Sequence, residues 1–518
     1  MSEPIVRLFD NPILIAQARR RLRRAQLVSS SLVFGLLGLC GLLLAAVAKD
    51  RVDAFSTLEY TLLIGIGLVF LLRGSNRIAE AVREERASGL LDFHRATPTT
   101  PWTDALGYLL GCPARDYLAS GILAAFVLVS APFSRFSATG IVGSLLILFV
   151  NGLLYHCFAL WLGLTVSHKR GASGIIIGTL VALLLSSVSS QGLGAITYFT
   201  PYPAISALLA SPEKSQVAVS FFGFPVHALL LSLLVQGSVL FGLSHAVARK
   251  IRHDESSSFS RLGTLYLFAW MAFLSLGAVW QFVVPSESVT HSTRDADVAI
   301  VVGYITLGTA LAAGLVMGQV PSYLMLLRAL RRARRQGTQV LSWLDEGGKT
   351  EPLTFGLWAF LIAGLFVISR AMGSKVKGPL VGEPVALAVM SVLLYLLFVQ
   401  LACEFVRLKH RGSTHAVAVL VFFVSHVLPW LLGFVFGGAD AQPGLLVMAT
   451  SPLYSVGTSA LNLAGHWFSE VAPTKSIETA RLGIFVSMGV TLAACLFFFV
   501  ESRRSQRTLA AQIAASGP

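Results

Sequence analysis

The chain has 518 residues, of which 55% are hydrophobic and only 13% charged. A soluble globule of that composition would have to expose large apolar patches, so soluble enzyme and disordered classes are excluded and a polytopic membrane protein is implied. The formal charge of +14 fits contact with anionic membrane lipid and requires no nucleic-acid partner.

In chain order, residues 1–26 lack the layout of a secretory signal. Their basic cluster, Arg19 to Arg21 with Arg23 and Arg24, precedes a full-length apolar span with no small-residue cleavage site. Ile5, Val6, Leu8, Phe9, Ile13 and Leu14 would lie in the headgroup layer as a cytoplasmic interfacial elbow while the arginines face phosphates, and an ordinary basic anchor fits equally well. Twelve stretches then reach or approach the ~20 apolar residues that a helix needs to cross ~30 Å of hydrocarbon. They are 27–48, 55–72, 117–133, 141–166, 174–193, 224–248, 262–284, 298–317, 353–368, 384–405, 416–436 and 482–500. Such runs are expected to be helices, because lipid offers the backbone no hydrogen-bond partner. Alternate loops collect about three-quarters of the 40 Lys and Arg, which orients both termini toward the cytoplasm, in what is expected to be a bacterial inner membrane. None of the five cysteines is placed for an external disulfide.

Two landmarks recur in the same order. HKRGAS (168–173) follows the fourth stretch and KHRGST (409–414) the tenth; TPYPAIS (200–206) precedes the sixth and SPLYSVG (451–457) the twelfth. Paired landmarks argue for a duplication into two six-span halves. The expected organisation is an elbow at 1–26, a first half at 27–250, a cytoplasmic linker at 251–261, a second half at 262–500 and a cytoplasmic tail at 501–518. Pro201, Pro203 and Pro452 are placed to start short external cap turns, since proline stops one helix and suits the first turn of the next.

The most informative segment, EERASGLLDFHRATPTTPWTDALGYLLG (84–111), lies between the second and third stretches. Its acidic start, then Gly89, Leu91, Asp92, Thr97, Pro98, Pro101, Leu106, Gly107, Leu109 and Leu110, resembles the coupling segment of permeases of the type-2 ABC exporter family. Leu90 stands where that family usually has Thr, and His94 and Arg95 are more polar than usual. The NPIL and ARRRLR strings within 11–23 are similar to the interfacial helix that opens many such permeases. The resemblance implies an all-α fold of about twelve spans in two pseudo-symmetric halves, with no bound cofactor of its own. ATP and Mg²⁺ would be held by separate cytoplasmic ATPase subunits, two of them and not necessarily identical. Glu84, Glu85, Arg86, Gly89, Leu91, Thr97 and Pro98 would carry the ATPase contact, with Gly89 allowing close approach.

In the second half, Arg331, Arg332, Arg334 and Arg335 stand roughly where the first half has its acidic pair. They imply either a second, electrostatically different ATPase contact or a lipid-facing basic surface. GGKT at 347–350 is a turn, because a phosphate loop needs a further Gly where Trp343 stands. The chain is therefore not expected to be an ATPase, and a non-transporting membrane scaffold or membrane enzyme, which would need a soluble partner or an internal catalytic cluster, is the alternative outside transport. The centres of the spans lack Asp, Lys and Arg, and Glu59 and Glu404 fall toward span edges. That disfavours an ion-coupled carrier, which keeps buried charge despite its cost, and 73–89 does not reproduce the loop motif of major facilitator carriers. Asn151, Tyr155, His156, Gln400 and His426 are the remaining candidates for a translocation path, with packing the stronger alternative for each. No residue set has metal-ligand or catalytic spacing.

Overall fold

The computed structural model describes residues 11–96, 99–165, 201–209, 218–252, 258–283, 294–320, 327, 331, 351–373, 376, 378, 380–409, 423–435, 447–468 and 474–515. The chain divides into two compact units, Met1–Asp254 and Glu255–Pro518. Among the described residues nine helices are long and apolar enough to cross a membrane, as expected of an integral membrane protein that is almost wholly helical.

The first unit opens with α1, Pro12–Arg21, followed by α2, Arg24–Val47, and α3, Arg51–Ser88. Asn11 caps α1 by accepting from the backbone N–H groups of Ile13 and Leu14, Pro12 occupies the first turn, and three arginines close the last turn, where the helix dipole favours positive charge. Two short helices, α4 (Leu90–Ala96) and α5 (Pro101–Gly111), lead into α6 (Ala114–Ser130) and α7 (Ala138–Thr165). A cap helix α8, Tyr202–Leu208, starts at Pro201 and packs on α7. It comes close enough that a Cβ on Gly140 would sit 2.5 Å from the Leu208 carbonyl oxygen. A hairpin of β1 (Ala218–Phe221) and β2 (Phe224–His227) precedes α9, Ala228–Arg252. Its two turn residues, Phe222 and Gly223, both have positive φ, the geometry of a tight two-residue hairpin.

The second unit contains α10 (Arg261–Val283), α11 (Arg294–Gln319), α12 (Glu351–Met372) and α13 (Glu383–Lys409). A π-turn at Phe423–Val427 runs into α14, Leu428–Val435, followed by α15 (Pro452–Phe468) and α16 (Thr474–Ala515). The packing of the two units corresponds in part: α11 of the second unit also lies on α15, whereas among the described residues no comparable contact joins α3 and α8 of the first. In the first, α2 and α3 lie on α6, α3 also on α7, α7 on α9, and cap α8 on both α7 and α9; in the second, α10 and α11 lie on α12, α11 also on α13, α13 on α16, and α15 on both α13 and α16.

Several expected boundaries shift. The second span was expected to end at residue 72, yet α3 continues to Ser88. At ~1.5 Å per residue its 38 residues cover roughly 57 Å, far more than hydrocarbon requires, because the polar stretch after 72 is helix-forming without being apolar. Likewise α16 runs through Ala515, so the expected tail is helical. The sixth span begins at Ala228 rather than 224, since Phe224–His227 is a strand. The seventh coincides with α10, whose apolar stretch Arg261–Gly277 is shorter than the nine. The fifth span (174–193), part of the eleventh, and the HKRGAS string lie outside the described residues, as does most of KHRGST.

Candidate functional site

The segment singled out by the sequence forms a braced platform at the Arg-rich end of the first unit. Helix α3 stops at Gly89, whose φ of +77° is a left-handed conformation that glycine adopts without penalty. A Cβ there would meet nothing within 4 Å. Backbone conformation, rather than a close approach, therefore requires glycine at this turn. Leu91 turns inward and is buried with Ile13, Ile78, Val82, Tyr108 and Leu164, while Leu90 and Phe93 are 43% and 64% exposed. Glu84 and Asp92 are also exposed. The outer face of α4 is thus an apolar pair, three residues apart, with acidic groups alongside.

Beneath it, Glu85 is buried. The Gln17 side-chain amide donates to its Oε1 at 2.6 Å, the Tyr108 hydroxyl donates to its Oε2, and His94 Nε2 lies 3.6 Å from that same oxygen. The expectation that Glu85 sits on a docking surface is therefore corrected: it is the internal anchor joining α1, α3, α4 and α5. Ile78, Val82 and Glu85 recur at i, i+4 and i+7, one face of a helix, and that periodicity was the available signal. Glu84, about 100° away on α3, faces out and pairs with Arg20 of α1 at 3.2 Å. Arg86 donates to the Leu164 carbonyl at 3.1 Å, which ties the platform to the end of α7.

Burial shapes the neighbouring groups. It raises the Tyr108 hydroxyl well above its ordinary value, with the Glu85 carboxylate adding to the effect. Burial and the same carboxylate push the Cys112 thiol up to about 12, so it stays protonated and unreactive near neutrality. Burial also raises Asp104, against a lowering by a Thr99 hydrogen bond and by His94.

Helix α5 meets α1 through Gly107 and Gly111. A Cβ on Gly107 would lie 2.8 Å from Ile13 Cβ, and one on Gly111 would lie 2.9 Å from Gln17 Cβ, so only glycine permits this spacing. Asn11 strengthens the contact by donating to the Thr103 carbonyl at 2.5 Å.

A polar line leads from the platform into the spans. The Tyr117 hydroxyl lies 2.9 Å from the Leu109 carbonyl and 3.0 Å from His156 Nδ1, and His156 Nε2 reaches the Phe70 carbonyl at 2.8 Å. A carbonyl only accepts, so Nε2 carries the proton. Phe70 lies in a π-helical segment of α3, Leu68–Gly74. There the ladder opens to admit the imidazole, and Gly74 makes room for it.

Of the other path candidates, Asn151 is buried on α7 and Tyr155 half-buried there. In the second unit, Gln400 accepts from Thr354 at 2.7 Å and donates to Glu404 at 3.2 Å. His426 lies in the π-turn beside Ser425, Tyr395 and Phe398. Pro201 and Pro452 stand at the starts of α8 and α15, with Pro203 in the first turn of α8. Arg331 is helical and exposed; Thr97, Pro98, Arg332, Arg334, Arg335 and the GGKT turn lie outside the described residues. Gln17, Tyr108 and Tyr117 were missed, since each is an isolated polar residue whose partner is distant in sequence. Among the described residues no group of His, Cys, Asp and Glu could hold a metal ion. Comparison with protein-family models, with curated proteins and with solved structures finds no match for the chain.

Proposed function

We propose that this chain is the membrane-spanning permease of an ATP-driven exporter of the type-2 ABC class, energised by separate ATPase subunits. The observation that carries the reading is the exposed Leu90 and Phe93 pair with Glu84 and Asp92 beside it, held rigid by the buried Glu85 network. A small apolar knob with an acidic rim on a braced helix suits a soluble partner whose groove is apolar at its floor and basic at its edge. The partly corresponding internal packing of the two units fits a duplicated permease, in which one chain supplies what two subunits otherwise would.

In the proposed cycle, ATP-driven closure of the partners presses on α4. The push passes through Glu85 to α1 and α5, then through Leu109, Tyr117 and His156 to the π-segment of α3. That segment is the bistable element, since an open ladder can shift its register at lower cost than a regular helix. ATP and Mg²⁺ would be bound by the partners, and the second contact would fall in 318–352.

One observation favours an ion-coupled carrier instead. Glu59 of α3 is fully buried and accepts from the Ser130 hydroxyl at 3.1 Å, and an intramembrane carboxylate is the group such a carrier would use. A photo-crosslinking amino acid at Phe93 separates the readings. Capture of a subunit bearing ATP-binding sequence supports the exporter, whereas transport in sealed vesicles that follows the proton gradient and is lost in Glu59→Gln supports the carrier.

A further inference from the structure

A second cluster of charge lies at the Arg-rich end of the first unit, apart from the α4 platform. Asp116, in the first turn of α6, is completely buried. Arg73 Nε lies 3.2 Å from one of its oxygens and Arg77 Nε 3.1 Å from the other. Arg21 and Arg115 are close enough to act electrostatically on both Asp116 and Arg77. Arg73 and Arg77 are ion-paired with the one carboxylate and Arg21 and Arg115 act on it electrostatically, so one negative charge is set against four positive ones and three are uncompensated among these five residues. Arg115 is turned toward Ser30 of α2 through its Nε. Arg21 Nε is buried and has no hydrogen-bond partner among the described residues, while the Arg73 side chain is 40% exposed. Like charges gathered at low dielectric repel one another, and a buried donor without an acceptor is costly. The cluster calls for an anion.

Its position identifies the source. The spans Arg24–Val47 and Ala114–Phe133 both begin at this cluster, and Arg73 lies ~33 Å along α3 from Arg51, about one hydrocarbon thickness. Val33 and Leu37, one and two turns beyond Ser30 on the same side of α2, are exposed and would accompany an acyl chain. We infer that Arg21, Arg73, Arg77 and Arg115 form a site for the phosphate of an anionic phospholipid headgroup, with the tail along α2. The guanidinium fork suits phosphate oxygens, and basic pockets between helix ends are where such headgroups bind. The site is independent of whether an ATPase partners the chain.

The test uses the purified full-length protein in mild detergent, titrated separately with dioleoylphosphatidylglycerol, dioleoylphosphatidylcholine and inorganic phosphate. Bound lipid is read by native mass spectrometry and the unfolding midpoint by fluorescence. Phosphatidylglycerol is expected to bind and raise the midpoint at concentrations where the other two do neither. Arg73→Gln should weaken that binding about tenfold, the loss expected for one charge-assisted contact, while Arg135→Gln, beyond the opposite end of α6, leaves it unchanged. Should Arg73→Gln fail to elute as a single species, Arg21→Gln, whose Nε holds no bond to lose, carries the same expectation. Equal binding of the two lipids, inorganic phosphate matching phosphatidylglycerol, or unchanged affinity in the folded arginine variants would overturn the inference.

Discussion

Removing the Glu85 carboxylate would leave the Gln17 amide and the Tyr108 hydroxyl as donors facing a buried space without their acceptor. Glu85→Ala is therefore expected to destabilise the first unit by about 2–3 kcal/mol, read as a lower unfolding midpoint, whereas Glu84→Ala should cost less than about 1 kcal/mol because its pair with Arg20 is exposed. Asp104 gives a pH signature. Its carboxyl is raised from 3.8 by burial, so between that value and its folded value the native state holds the proton while the unfolded chain releases it. Stability contributed there falls as pH rises through this window, and Asp104→Asn should flatten the slope. A stability that instead rises with pH in wild type and falls back in the variant would contradict the assigned environment. At this scale the sequence was partly legible. The inward face of α3 could be read from the spacing of Ile78, Val82 and Glu85, but the partners Gln17 and Tyr108, 68 and 23 residues away, belong to tertiary structure that no local pattern encodes.

Helix α1 and helix α5 touch only because Gly107 and Gly111 have no side chains. Gly111→Val is expected to push α1 off the platform and to expose the otherwise buried Cys112 to a thiol reagent, and an unchanged labelling rate would argue against that contact. Gly89→Ala places a Cβ on a residue with positive φ in open space, so it should cost about 1 kcal/mol without disturbing packing. The π-segment of α3 receives the His156 imidazole, and His156→Leu takes that donor from the buried Phe70 carbonyl, while the Tyr117 hydroxyl keeps the Leu109 carbonyl as acceptor. A loss of roughly 2–3 kcal/mol is expected, with faster hydrogen exchange confined to 68–74 and the helix facing it. Apolar stretches announced nine spans among the described residues, because hydrocarbon demands one pattern everywhere. They said nothing of α3 beyond residue 72, of the hairpin at Ala218–His227 or of the helical end of α16, where the polar surroundings tolerate many sequences and packing decides.

For the whole molecule, Met1–Asp254 and Glu255–Pro518 share part of their helix contacts, as a duplication of the paired landmarks would predict. The halves are not copies in detail. The cap helix α8 has 7 residues, whereas α15, which follows the second proline landmark, has 17 and buries its own Val456, Ala460, Leu463 and Trp467. If both halves take an ATPase partner, the basic residues of the second half in place of the acidic pair of the first predict that the two contacts differ in strength.

The most direct test is co-purification of the full chain from its native membrane in mild detergent, comparing wild type with Phe93→Glu and Glu84→Lys. Both substitutions are at exposed residues, so Phe93→Glu should keep the wild-type unfolding midpoint and Glu84→Lys, which breaks the exposed Arg20 pair, should lower it only slightly. A stoichiometric ATPase subunit is expected with wild type and is expected to be lost, or reduced at least about tenfold, from the variants. Wild-type protein that is intact, monodisperse and free of any ATP-binding subunit would contradict the account.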